Sequence, residues 1–164
     1  MSTLAFTERC RLDAVSEADE YLLVTLHADP DVRRYLGGAT RAESARRQLS
    51  QSTQNPSRLA FIVVLRETDE KVGIIDFGPH HDGENVEISY MMLPRFWGMG
   101  LAVEAIAKAL DYKFATDADL VRIVAETQTA NIASRRLLER LGFSEMRRLQ
   151  RFGAEQTLYV KGRE

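Results

Sequence analysis

The sequence predicts a mixed α/β protein built on one central β-sheet, and three patterns indicate this class. Residues 59–92 hold three largely apolar runs separated by short polar turns, which is typical of neighbouring strands. Apolar residues then recur at helical spacing over 101–114. A strand, a helix and a hairpin follow, so strands and helices alternate in the second half. At 164 residues and 45% hydrophobic content, we expect residues 1–164 to form a single domain.

The N-terminal third predicts one short strand followed by three helices. The helices are indicated by residues that favour helix ends: capping side chains at the start, proline in the first turn and glycine at the end. The expected elements are a strand from Arg9 to Leu12, a helix that Ser16 and Asp19 cap and that runs to about His27, a short helix from Pro30 to Gly37-Gly38, and a helix that a capping box at Thr40-Arg41-Ala42-Glu43 begins and that runs to about Ser52.

The rest of the chain predicts six strands and two helices. The strands are apolar or alternating runs bounded by turns, and each helix starts and ends at a recognisable residue. The expected elements are strands at Leu59–Leu65, Lys71–Phe77 and Asn85–Met92, a helix from Leu101 to about Phe114, a strand at Val121–Thr127, a helix capped by Asn131 that runs through Leu141 to Gly142, and a hairpin of Ser144–Arg151 and Gln156–Lys161 around Gly153.

Composition excludes several classes of partner. A net charge of -2 gives no electrostatic reason to expect nucleic acid or an anionic membrane. No apolar run is long enough to span a bilayer, and the first residues lack a signal-peptide pattern. The lone Cys10 fits a reducing compartment, so we expect a cytoplasmic protein. We predict no metal site, because His80-His81-Asp82 reads as a flexible loop without further ligands.

The segment Arg95-Phe96-Trp97-Gly98-Met99-Gly100 is the most informative motif, because it joins a strand directly to a helix at Leu101. Its two glycines let backbone approach a ligand, and the first N–H groups of the helix have no partner within the helix. This turn therefore predicts a pyrophosphate seat, with Arg95 as a charged contact. Taken alone, two glycines are more often a plain turn. At least one of Phe96 and Trp97 is expected in the core.

Two ordered segments resemble the GNAT superfamily of acetyl-coenzyme-A-dependent N-acyltransferases. The glycine segment matches its R/Q-x-x-G-x-G/A signature for coenzyme A (CoA) pyrophosphate. Asn131-Ile132-Ala133-Ser134, followed by 137–143 with its Leu-Gly-Phe end, looks like its pantetheine-side helix. The resemblance covers the whole chain. Further segments resemble RimJ/RimL-type ribosomal-protein N-terminal acetyltransferases: Arg11-Leu12, Asp29-Pro30-Asp31, Tyr35-Leu36-Gly37 and Glu87-Ile88-Ser89-Tyr90.

The resemblance implies a GNAT-like fold, with helices on both faces of a mixed sheet and one splayed pair of strands. The strand ending at Met91-Met92-Leu93 would carry a bulge and part from its neighbour, and Pro94 would end it. An N–H near Met92 would then face the thioester oxygen. The residues implied to bind acetyl-CoA are Met91, Met92, Leu93, Arg95, Gly98, Met99, Gly100, Leu101, Ala102 and Asn131.

The resemblance also implies two catalytic residues. Glu87 lies where many relatives hold a carboxylate that removes the amine proton, although a positioning role or a solvated side chain is equally open. Leu138 stands where many relatives carry a tyrosine acid, so Ser134 becomes the candidate proton donor, or a plain helix residue. A thiol with a pKa of roughly 8.5 can also leave without an acid.

The expected activity is transfer of acetyl from acetyl-CoA to a primary amine, by direct attack in a ternary complex. The acceptor would be a protein N-terminal α-amine or a small-molecule amine. Leu138 keeps one alternative open, a non-catalytic acyl-CoA-binding module. A dinucleotide- or ATP-binding protein ranks below both, because the third glycine and the P-loop lysine are missing. A homodimer is compatible with the resemblance.

Overall fold

The computed structural model describes residues 2–164, which contain eight strands and four helices. The strands are β1 (Thr3–Phe6), β2 (Cys10–Ala14), β3 (Leu59–Leu65), β4 (Lys71–Pro79), β5 (Val86–Met92), β6 (Arg122–Gln128), β7 (Ser144–Arg151) and β8 (Ala154–Gly162). The helices are α1 (Glu20–Ala28), α2 (Ala42–Gln54), α3 (Leu101–Thr116) and α4 (Ile132–Arg140), with short 3-10 turns at Glu17–Asp19 and Pro94–Phe96.

All eight strands form one mixed sheet in the order β1-β2-β3-β4-β5-β6-β8-β7. Every neighbouring pair is antiparallel except β5 and β6, which run parallel. The connection from β5 to β6 is α3, as expected, because parallel neighbours need a crossover. The single mixed sheet predicted from the sequence is therefore confirmed.

Helices cover both faces of the sheet. Phe61 of β3 packs edge-on against Tyr112 of α3, with ring centroids 5.4 Å apart, and Tyr90 of β5 touches α4. Neighbouring strand residues point to opposite faces, so Asp76 of β4 lies on the other side from these contacts. Gln48 of α2 lies close enough to Asp76 to lower its pKa, which places α2 and its partner α1 on that second face.

Two N-terminal predictions are wrong, and β1 was not predicted. Residues 30–37 form successive turns instead of a helix. The Arg33 guanidinium donates to the carbonyls of Leu36 and Gly38, at 2.6 and 3.1 Å, and this wraps the segment into a loop. The Asp29 carboxylate accepts the N–H groups of Asp31 and Val32 and forms an Asx-type turn at the start of this loop.

The capping box predicted at Thr40 does not form. Helix α2 has Arg41 at its N-cap position without a side-chain cap, and it extends to Gln54. The Thr40 hydroxyl lies 3.0 Å from Nδ1 of His27, so a tertiary contact uses the group that would have capped the helix. The Ser16 cap is confirmed, because the Asp19 carboxylate accepts the Ser16 N–H at 2.8 Å. The remaining predicted elements end within two residues of the observed bounds.

Candidate active site

The strands β5 and β6 part after two residue pairs, Val86 with Ile123 and Glu87 with Val124. Beyond that point β5 remains paired with β4 as far as Met92, and β6 remains paired with β8 as far as Gln128. The predicted opening in the sheet is confirmed, but the predicted bulge is wrong. The register between β4 and β5 is continuous, so β5 diverges from β6 without an extra residue, because each strand follows its own antiparallel partner.

The edge of β5 presents unpaired backbone groups to this opening. The Leu93 N–H donates to the Val72 carbonyl at 2.8 Å, on the β4 side. Backbone groups alternate along an antiparallel strand, so the N–H groups of Tyr90 and Met92 point away from β4, into the opening. The Met92 carbonyl is occupied there by the Trp97 indole N–H, at 2.9 Å. The Met92 N–H is thus available to a ligand in the opening.

The glycine segment forms a tight turn at the mouth of α3. Pro94 starts a 3-10 turn directly after the strand, and Gly98 and Gly100 have φ values of 75° and 77°. These left-handed conformations favour glycine. Gly100 is the N-cap of α3 and supplies no capping side chain, so the first helical N–H groups remain free to bind an anion. Phe96 is the core aromatic of this segment, whereas Trp97 is 50% exposed.

Arg9, which sequence reasoning missed, holds this turn in place. From the bend between β1 and β2, its guanidinium donates to the Met99 carbonyl at 2.8 Å and to Glu104 of α3 at 2.9 Å. No local signal could identify it, since 90 residues separate it from the turn. Arg95 lies over the Phe96 ring and 3.4 Å from the Glu70 carboxylate, so it is largely directed away from the turn.

The start of α4 faces β5 across the cleft. The Asn131 side chain accepts the Ser134 N–H at 3.2 Å, which confirms the predicted cap. The Ser134 hydroxyl lies 2.7 Å from the hydroxyl of Tyr90, another residue that was not predicted to have a role. Burial raises the pKa of Tyr90 to about 12, and the bond to Ser134 offsets part of this rise. Leu138 is buried in the core.

A cleft of about 920 Å³ runs through the opening and reaches both faces of the sheet. Eight of the twelve predicted site residues line it. They are Met91, Met92, Gly98, Gly100, Leu101, Ala102, Asn131 and Ser134. Glu87, Leu93, Arg95 and Met99 do not: Leu93 packs in the core, and Met99 contributes its carbonyl to Arg9.

Glu87 belongs to a buried acidic group beside the cleft, formed by Glu87 and Glu126 with the neighbouring side chains of His80 and Arg151. Burial raises the pKa of Glu87 to about 7, and the charge of Glu126 adds to this effect, while His80 and Arg151 oppose it. Glu126 itself lines the cleft; its carboxylate lies 2.9 Å from Nε2 of His80 and 3.4 Å from Nε of Arg151. Sequence reasoning missed Glu126, although an acidic residue directly after the apolar run 123–125 was a usable signal.

His80 corrects the prediction of a flexible loop. The residue is 3% exposed and bonds to Glu126, and so it belongs to the buried acidic group. The loop is ordered by Asp82, whose carboxylate accepts the N–H groups of Glu84 and Asn85 at 2.9 and 3.1 Å. Among residues 2–164, no group of three or more His, Cys, Asp or Glu side chains is arranged to hold a metal ion.

The sequence of this chain matches the family model for the acetyltransferase (GNAT) domain over residues 9–144. The chain belongs to the GNAT acetyltransferase family. It is an acetyl-CoA-dependent acyltransferase, and its relatives include N-acetyltransferases. One curated relative is the uncharacterized N-acetyltransferase p20 of Bacillus licheniformis, 32% identical over 152 residues, which are 88% of this chain and 84% of that protein.

Solved GNAT structures share the fold at lower identity. Spermidine N-acetyltransferase of Vibrio cholerae, solved with CoA and spermine, is 18% identical with a TM-score of 0.80, over 94% of this chain and 95% of that one. A Salmonella typhimurium acetyltransferase that modifies the N-terminal serine of a 50S ribosomal subunit protein is 17% identical with a TM-score of 0.80, over 96% and 97% of the two chains.

On the α1 and α2 face of this GNAT protein, the cleft is lined by the 31–36 loop and by a buried ion pair. Nη1 of Arg58 lies 3.0 Å from one Asp76 oxygen. The other Asp76 oxygen has no hydrogen-bond partner among the described residues. Burial raises the pKa of Asp76, and Arg58 offsets part of the rise.

None of the helices in the described part of the chain is both long and apolar enough to cross a membrane.

Proposed function

We propose that this GNAT protein transfers acetyl from acetyl-CoA to a primary amine by direct attack in a ternary complex. The observation that supports this most is the opening between β5 and β6. It presents the free Met92 N–H inside a cleft that reaches both faces of the sheet. A thioester carbonyl held there would meet a donor positioned to stabilise the oxyanion, and an amine could approach from the opposite face.

Acetyl-CoA, the acyl carrier, would lie along β5, with its ends at the N-termini of α3 and α4. Its pantetheine arm would pair with the free backbone groups of residues 90–92, in the manner of an added strand. The free N–H groups at Gly100 and the start of α3 would take the pyrophosphate. Asn131 would contact a pantetheine amide while it caps α4. Arg95 would need to swing from Glu70 to reach the phosphates.

The buried acidic group supports the removal of the amine proton. A carboxyl with a pKa near 7, such as Glu87, can accept a proton at neutral pH and release it again. Glu126 lines the cleft whereas Glu87 does not, so water or Glu126 would connect Glu87 to an amine bound in the cleft. A protein α-amine, with a pKa near 8, needs less help than a lysine side chain near 10.4.

Ser134 would donate a proton to the departing thiolate and regain one from water in the cleft. A neutral phenol is a better hydrogen-bond donor than an aliphatic hydroxyl, and the raised pKa keeps Tyr90 neutral. If Tyr90 donates to the Ser134 oxygen, the proton of Ser134 remains free to point at the sulfur. Tyr90 is therefore proposed as a positioning residue and Ser134 as the acid.

The acceptor class that we favour is a peptide N-terminal α-amine, with small-molecule amines second. The RimJ/RimL-like segments and the Salmonella relative support the first, and the spermidine enzyme of Vibrio cholerae supports the second. We further propose that residues 1–164 act as one acetyltransferase domain. The buried free thiol of Cys10 favours a cytoplasmic location.

A thiol-release screen tests this function directly. The purified protein would be given acetyl-CoA with N-terminal peptides, polyamines, aminoglycosides and amino acids, and CoA release would be followed for each. We expect turnover with at least one class. Acetyl-CoA binding by calorimetry without turnover on any amine would instead favour the acyl-CoA-binding module. Radiolabelled acetyl that stays on the denatured protein would contradict direct transfer.

A further inference from the structure

Arg136 and Arg140 lie one helical turn apart on α4, and both line the cleft. Both side chains are exposed, and among the described residues neither takes part in a salt bridge or a side-chain hydrogen bond. Their neighbour Arg135 differs, because it donates to the Tyr159 hydroxyl at 3.1 Å and to the Thr129 carbonyl at 3.2 Å. Arg135 thus serves the fold, whereas Arg136 and Arg140 face the cleft uncompensated.

This pair is not explained by the stability of the helix. Like charges at i and i+4 repel by roughly 0.2–0.5 kcal/mol. Glu139, the acidic residue between them, has its carboxylate 3.5 Å from the Tyr159 hydroxyl. The helix dipole favours a cation in the last turn, which accounts for Arg140, but Arg136 lies one turn earlier.

Coenzyme A carries phosphate groups at two separate places, and the N-terminus of α3 is proposed to bind only one of them. Besides its pyrophosphate it has a phosphomonoester on the 3′ carbon of the ribose. Near the glycine turn, Arg9 binds Glu104 and the Met99 carbonyl, and Arg95, which lies beside Glu70, is the arginine proposed above to turn toward the pyrophosphate. Arg34, at the acceptor end of the cleft, lies over the Tyr35 ring. Among the described α4 residues that line the cleft, Arg136 and Arg140 therefore keep their guanidinium groups free for a ligand.

We propose that Arg136 and Arg140 form a site for the 3′-phosphate of the acyl carrier. Two guanidinium groups one turn apart can each donate two hydrogen bonds to a phosphate dianion. The consequence is donor selectivity: the enzyme uses free CoA thioesters and discriminates against pantetheine thioesters that lack this phosphate. This inference rests on the proposed function.

Acetyl-CoA and acetyl-3′-dephospho-CoA differ only in the group that this site would recognise. Binding of both is measured by calorimetry and turnover by thiol release, for the wild type and for R136Q/R140Q. Glutamine keeps a high helix propensity, and a thermal melt confirms folding. R147Q is the matched control, because Arg147 is an exposed arginine of β7 outside the cleft.

We expect the wild type and R147Q to bind acetyl-CoA at least tenfold more tightly than the dephospho form. The double variant should lose that preference and bind the dephospho form as the wild type does. A wild type that binds both donors equally, or a double variant that weakens both by the same factor, overturns the 3′-phosphate site alone. A wild type that binds neither donor overturns the proposed function itself.

Discussion

The hydroxyls of Tyr90 and Ser134 lie 2.7 Å apart and join β5 to α4 across the cleft. This contact links the strand that offers the free Met92 N–H to the helix that Asn131 caps. The two groups proposed to act on the thioester, the Met92 N–H and the Ser134 hydroxyl, are therefore fixed relative to each other by one side-chain bond. Tyr90 can therefore position Ser134, although its raised pKa makes it a poor proton donor in its own right.

Ser134→Ala should slow acetyl transfer more than it weakens CoA binding. A lost general acid typically costs about 10²–10⁴ in rate. A thiolate leaves without help more easily than an alkoxide, so we expect a kcat loss of about tenfold to a hundredfold. Tyr90→Phe should lower kcat in the same direction by a smaller factor. Steady-state kinetics and CoA titration check this, and equal losses in kcat and binding would count against Ser134 as the acid.

Glu87→Gln should remove an ionisation from the pH profile of kcat/KM. Wild-type activity should rise through about pH 7, as Glu87 loses its proton and becomes able to accept one. In the variant the rise near pH 7 should vanish, and the activity at pH 8 should fall at least tenfold. An unchanged profile with the true acceptor would rule out Glu87 as the base.

The same substitution should stabilise the fold at alkaline pH. The pKa of Glu87 is raised from 4.5 to about 7 on folding, so the folded state holds more protons than the unfolded state between these values. Stability therefore falls as the pH rises through this window. Glu87→Gln avoids that loss, and we expect a gain of about 1–3 kcal/mol at pH 8 and none at pH 4. Urea unfolding at both pH values measures it, and a gain of the same size at pH 4 would contradict the shift.

Local sequence patterns predicted the elements around the proposed CoA site. The glycines at 98 and 100, the break at Pro94 and the Asn131 cap depend on neighbouring residues, and the structure contains all of them. The long apolar run of β3 likewise needs only its own sequence to be recognised as a buried strand.

Contacts between distant segments account for what sequence reasoning missed. Arg9 bonds to the Met99 carbonyl, and Tyr90 bonds to Ser134, which lies 44 residues further along the chain. No local sequence pattern predicts either contact. At Thr40 the local pattern was present but misleading. The sequence predicted a capping box there, whereas the Thr40 hydroxyl bonds to His27. The bulge expected from the resemblance was unnecessary, since β4 and β8 already draw β5 and β6 apart.

Gly98→Ala should weaken CoA binding beyond its effect on stability. Gly98 and Gly153 share a φ of 75°, and an added Cβ meets nothing within 4 Å at either position. Both alanine variants should therefore lose about 1 kcal/mol of stability. Only at Gly98, which lines the cleft, would the methyl group enter the space proposed for the phosphates. We expect at least a fivefold loss of CoA affinity for Gly98→Ala and none for Gly153→Ala; equal affinities would contradict the pyrophosphate seat.

Arg58→Met should destabilise the protein in a pH-dependent way, because it leaves the buried Asp76 carboxyl without its cation. Removing one partner of a buried pair costs about 3–5 kcal/mol, and the 20% exposure of the Arg58 side chain places this pair at the lower end. The pKa of Asp76 is already raised by burial, and losing Arg58 raises it further. The folded variant thus binds a proton that the unfolded chain releases, so its stability falls as the pH rises above 4.

Urea unfolding at pH 4.5 and pH 7.5 should show a larger loss at the higher pH. Adding Asp76→Asn should restore most of the lost stability, because a neutral amide needs no counter-charge. Asp76→Asn alone should cost less, since the freed Arg58 head group can turn toward solvent. A loss that is the same at both pH values, or a double variant no better than Arg58→Met, would show that Arg58 acts by packing and not by neutralising Asp76.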